Sequence, residues 1–134
     1  MGTTNYVDTF ILASADSKAR AGVAPARPGT VAALQYGLLR DAPYRYTSDE
    51  LLFEVHASRQ GIDQAGRKAA WDAFFARSQA CLRASPLVKQ FGWGLHHDGQ
   101  GKVALVGVET DAYRRLAADQ ALKVVPGMRS SRAG

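Results

Sequence analysis

Apolar positions along the chain change their spacing several times, and each change marks an element. Residues 8–14 centre on Thr9-Phe-Ile-Leu-Ala13, a short β-branched apolar run that predicts a strand. Residues 15–29 hold two prolines, two glycines and scattered cations, and loops of that length are uncommon unless mobile or functional. Behind Thr30, a candidate N-cap, Val31, Leu34 and Leu38 recur at helical spacing, with Pro43 past the end. Two periods compete across 44–61. As a strand, Phe53, Val55 and Ala57 would oppose Glu54, His56 and Ser58; as a helix, Leu51, Leu52, Val55 and Ile62 cluster. The capping box Thr47-x-x-Glu50 and the stop at Gly61 select the helix. That choice sets Glu54 and His56 about 200° apart around the axis, which removes them as an acid/base pair.

Residues 62–66 then read as a turn and 67–82 as an amphipathic helix. Ala70, Phe74, Ser78 and Cys81 lie near one face of it, with Trp71 and Phe75 alongside. Ser85-Pro86 opens a short helical turn. Segments 92–97 and 102–109 flank Asp98-Gly-Gln-Gly101, a hairpin signal that sets His97 opposite Lys102 and His96 opposite Val103. Thr110 or Asp111 caps a last helix running to about Leu122. The sum is a single α+β domain over 1–122, with a small antiparallel sheet (a strand near 8–14 plus the hairpin 92–109) packed with four to five helices. Residues 123–134 read as a basic, flexible tail.

Composition narrows the classes. With 134 residues, 46% hydrophobic and 22% charged, the chain resembles an ordinary globular domain large enough for one core. No apolar run is long enough to span a membrane, and the first residues lack the basic-then-apolar pattern of an export signal. A single cysteine, Cys81, fits the reducing cytoplasm. The net charge of +5 invites a nucleic-acid reading until the charge is located. Lys123, Arg129 and Arg132, with no acid beyond Gln120, supply three of those five charges, leaving a weakly basic body that disfavours a dedicated nucleic-acid binder.

Several blocks in order are familiar: TTNYVDTFI (3–11), LQY (34–36), PYRYTSDELLFEVHA (43–57), CLRASPLVK (81–89), GWGLHHD (92–98) and KVAL (102–105). Over nearly its whole length the chain resembles a family of small, mostly bacterial proteins known only as a domain of unknown function. The resemblance implies a compact cytoplasmic single domain and carries over no activity, substrate or catalytic residue.

Chemistry must therefore come from the residues. Alternation along the hairpin sends Trp93, Leu95 and His97 to one face and Gly92, Gly94 and His96 to the other, so the adjacent histidines cannot chelate one metal. The same register puts Gly107 with His96, leaving a lane without side chains. Either a helix covers it, the one over 67–82 being the candidate, or it is a recess edged by His96. His97, beside the turn, reads as a rim residue. Arg83, the backbone after Ser85 and Lys89 could cradle a carboxylate or phosphate at a helix start. Cys81 is a candidate nucleophile with Arg83 as its cation, although a lone cysteine on an apolar helix face is more simply core. Ser85 is more simply a cap than a nucleophile, lacking a hydrolase elbow.

The reading is a site for an anionic small molecule where 83–89 meets the hairpin. Arg83, Ser85, Lys89, Trp93 and His97 would bind, with His96 as acid/base and Cys81 as a weaker nucleophile. No metal spacing or nucleotide loop is present, and no cofactor is implied. The competing reading is a non-enzymatic interaction module for a protein, or less favourably for nucleic acid through the tail. Oligomeric state is left open.

Overall fold

The computed structural model describes residues 3–131. Short polar side chains decide where its helices begin. Thr30 accepts a hydrogen bond from the Ala33 amide and starts α1 (Val31–Asp41). Thr47 and Glu50 exchange both bonds of a capping box at the head of α2 (Ser48–Gln60), and Gly61, at φ 65°, closes it. Here the caps prevail over the alternating pattern, as the sequence predicts. A 3-10 turn at Gln64–Gly66 leads into α3 (Arg67–Phe75), well short of the predicted end at Leu82. Gln79 donates to the Phe74 carbonyl at 2.7 Å, taking an acceptor of the last helical turn. Leu82, wholly buried, is drawn into the core within a separate 3-10 turn, so Cys81 sits on no face of α3. Ser85 caps α4 (Pro86–Gln90), and Thr110 caps α5 (Asp111–Ala117).

Four strands form one sheet in the order β3 (Val103–Gly107), β2 (Trp93–His97), β1 (Thr9–Leu12), β4 (Lys123–Pro126). β1 runs antiparallel to β2 but parallel to β4, so the sheet is mixed rather than antiparallel. The expected flexible tail is corrected at the same place, since residues 123–126 are a strand. Asp8 O accepts from the Lys123 amide and Leu12 O from the Gly127 amide, each at 2.9 Å, extending the ladder at both ends. Past β4 the Met128 amide bonds the Arg83 carbonyl, and the Ser130 and Ser131 amides bond the Asp16 carboxylate. Arg132, also assigned to the tail, lies outside the described residues.

The hairpin register is one residue from the predicted one. His97 pairs with Val103, His96 with Ala104 and Trp93 with Gly107. Asp98 is the cause. Its amide bonds Lys102 O, its Oδ1 accepts from the amides of Gln100 and Lys102, and Gly101 at φ 78° absorbs the extra residue. Gly107 consequently belongs to the face of Trp93, not that of His96.

The two faces are unequal. Ile11, Leu95 and Val103 meet Ala32 and Leu39 of α1, Leu51 of α2, and Leu82, Leu87 and Val88 around α4, which together form the core. The other face bears Phe10, Gly94, His96 and Ala104. There the Tyr113 ring of α5 packs edge-on against Phe10 at 5.1 Å. A Cβ on Gly94 would lie within 2.8 Å of both rings, so Tyr113, not the helix after Arg67, covers the glycine lane. Among the described residues, no helix is long and apolar enough to cross a membrane.

Candidate functional site

The residues expected to form one site are distributed over several separate places. His96 stands on the α5 side of the sheet, where its Nδ1 shares a 2.8 Å hydrogen bond with the Tyr44 hydroxyl. Burial pulls the His96 pKa down against the opposing pull of Asp98, Asp8 and Asp119. Burial likewise raises Tyr44. Both shifts favour a neutral imidazole accepting at Nδ1 from a protonated phenol, which leaves the ring proton on Nε2. Tyr44 and Asp8 also carry positive φ angles, 58° and 47°. Nothing in the sequence signals the Tyr44 contact, which depends on that left-handed backbone.

His97 lies on the opposite face, and it is no rim residue. Its exposure is 0%, and neither ring nitrogen has a hydrogen-bond partner. Burial lowers its pKa to about 4. The Tyr6 ring meets it edge-on at 5.3 Å, and the Tyr6 hydroxyl donates to Cys81 Sγ at 3.2 Å. Burial, then that bond, pushes the Tyr6 phenol up to about 12. Cys81 therefore has a protonated phenol for its neighbour, not the general base a nucleophile requires.

Arg83 has a third setting. Its Nε donates to the Pro126 carbonyl at 2.6 Å, and it lines an open groove of about 600 Å³ with Gly127, Met128, Arg129 and Ser130. Neither Ser85, Lys89, Trp93 nor His96 reaches this groove. Ser85 is buried, capping Leu87 N and donating to Gln35 Oε1 at 2.6 Å, so the start of α4 is already satisfied. Lys89 stands in the last turn of that five-residue helix. Trp93 has a structural task. Its Nε1 donates to Val23 O at 2.9 Å and its ring packs on Tyr36, while Gly22 crosses so close that a Cβ would lie 2.6 Å from the indole. With Val23 N on Phe91 O and Gly22 N on Glu109, the long loop is bound to the hairpin.

Sequence reasoning overlooked Arg129, placed in a flexible tail, and Gln35, whose polar side chain on an apolar helix face was a readable signal. Glu54 is engaged by Arg67 rather than His56. Among the described residues, no group of three His, Cys, Asp or Glu side chains is arranged to hold a metal.

A four-stranded mixed sheet with its main core on one face, carrying polar side chains in separate places, defines a small α+β domain whose readiest feature is the arginine groove. The chain belongs to a family of unknown function, DUF6157, whose match covers residues 1–133. Comparison with curated proteins and with solved structures gives no match.

Proposed function

We propose that the chain is a cytoplasmic protein that binds an anionic small molecule in the groove of Arg83. One observation carries the reading: Arg83 and Arg129 share an open groove of about 600 Å³ whose lining contains no acid, the adjoining Asp16 carboxylate being taken up by the Ser130 and Ser131 amides. The bond from Nε to Pro126 O orients the Arg83 guanidinium while leaving its terminal nitrogens to donate, the geometry that suits carboxylate or phosphate. The backbone around Gly127–Ser131 brings Arg129 to the same space. The function is one of binding: His96 belongs to the other side of the sheet, and Cys81 faces a phenol. The lone cysteine agrees with a reducing compartment.

Thermal-shift titration with phosphate, pyrophosphate, citrate and a sugar phosphate tests this. At least one should raise Tm in a dose-dependent way, and Arg83→Gln with Arg129→Gln should abolish the rise. No rise with any of them, or an equal rise in the double variant, removes the proposal.

A further inference from the structure

α3 contributes no buried residue to the fold, although three of its nine residues are Trp71, Phe74 and Phe75. Its aromatic rings are half-buried, with Trp71 and Phe74 packing on the buried Phe53 of α2 at 5.1 and 6.1 Å. Trp71 meets Phe75 at 4.6 Å, Phe75 meets Phe74 at 4.9 Å, and Phe74 lies 4.5 Å from the His56 ring of α2. On either side of the Phe74–His56 pair lies an open hollow. The smaller, about 200 Å³, includes Leu52 and Arg59; the larger, about 610 Å³, includes Ile62 and Arg77. Both hollows share His56, Gln60 and Phe74, so they form one groove along the α2–α3 corner.

We propose that this groove docks an acidic amphipathic helix from another protein. The floor is aromatic and aliphatic, the surface that a helix with an apolar face fills. Charge supplies the second half of the match. Every acid nearby is committed: Glu54 to Arg67, Asp72 to Lys68, and Asp63 to the Gly66 amide. Arg59 and Arg77 are exposed and have no ion-pair partner among the described residues, one in each hollow. An apolar floor between two uncompensated arginines selects an apolar stripe flanked by Glu or Asp and repels a basic one. A second copy of this chain is the poorer occupant, because a two-fold contact through this face would bring the same arginines toward each other. Nucleic acid is also poorer, since a phosphate backbone gains nothing from Leu52 or Ile62.

The test is selection of a phage-displayed library of random peptides about 16 residues long, enough for roughly four helical turns. Enriched sequences should carry apolar residues at helical spacing with acids beside them. Their affinity should fall by about tenfold or more in Arg59→Glu/Arg77→Glu, and a peptide with Lys in place of its acids should recover it. Both arginines are exposed and unpaired, so the double variant should stay folded with only a small loss of Tm from Arg59 in the last turn of α2, and Phe74→Ala gives a second loss through the floor. Failure to enrich any sequence, enrichment of neutral or basic peptides, or unchanged affinity in the charge-reversed variant overturns the proposal. So does sedimentation showing a dimer that Phe74→Glu separates. Arg83→Gln should leave peptide binding intact, which keeps this result independent of the small-molecule groove.

Discussion

Burying an imidazole with neither nitrogen bonded costs roughly 1–3 kcal/mol per polar group, and His97 bears that cost at 0% exposure. The ring also makes stability depend on pH in a defined direction. Unfolded, it takes up a proton near 6.5; folded, only at about 4, because burial disfavours the cation. Between those values the unfolded chain binds more protons, so stability falls as pH drops through the window, by roughly 3 kcal/mol in all. His97→Leu should flatten that slope and be at least as stable as the parent at pH 7, as measured by urea midpoints at pH 7, 5 and 4. A variant retaining the parent slope would assign the acid sensitivity elsewhere. Asp16 works in a lower window. Its hydrogen bond from Ser14, with others from Ser130 and Ser131, holds its pKa to about 2. That carboxylate therefore keeps its contribution above the usual carboxylate range and loses it only as pH falls toward 2. Asp16→Asn should loosen 128–131, read as faster amide exchange there, with little change in the amides of β2 and β3.

At the scale of elements, glycine placement gives paired tests. A Cβ on Gly127 would collide with Val88 and come within 2.6 Å of Leu12 O. Gly127→Ala should therefore cost about 1–3 kcal/mol by overpacking where β4 leaves the sheet. Gly37, inside α1, has nothing within 4 Å of its added Cβ, so Gly37→Ala should stabilise by about 0.5–1 kcal/mol. Thermal denaturation of both variants checks the contrast, and similar shifts would contradict it. These positions also indicate what the sequence could convey. Elements announced by local chemistry were legible: the Thr30 cap, the Thr47–Glu50 box, the Ser85-Pro86 start, the last cap as Thr110 or Asp111, and the Asp98–Gly101 turn, though not its register. Elements fixed by distant partners were not. Lys123-Val-Val-Pro126 is too short to alternate, and only pairing with β1 makes it a strand. Likewise α3 ends early because the core takes Leu82, a long-range demand invisible in an apolar period that continues to Cys81. The candidate site failed for the same reason. Opposite faces for His96 and His97 followed from strand geometry, but the partners of each, Tyr44 and Tyr6, come from remote segments.

Taken whole, the molecule separates its polar features. The Tyr44–His96 pair lies on the α5 side, His97 and Cys81 meet Tyr6 on the core side, and the arginines face outward at two grooves. Those two grooves dispose of the positive charge differently. Around Arg83 the backbone leaves room for a small anion, while around Phe74 an apolar floor makes room for a larger partner. Salt should discriminate between them: raising ionic strength should weaken peptide binding only in part, because apolar burial persists when charges are screened, whereas small-anion binding at Arg83 should be lost more completely.

The parallel pairing of β4 with β1 has a consequence for synthesis. β1 emerges from the ribosome more than a hundred residues ahead of β4, and Phe10 and Ile11 then form part of a strand with an unpaired edge. Until Lys123–Pro126 arrives, that edge is open to the same segment on a neighbouring nascent chain. A chain terminated at residue 122 should keep every helix and the hairpin yet accumulate as insoluble protein, and supplying a peptide of residues 121–131 in trans should return part of it to solution.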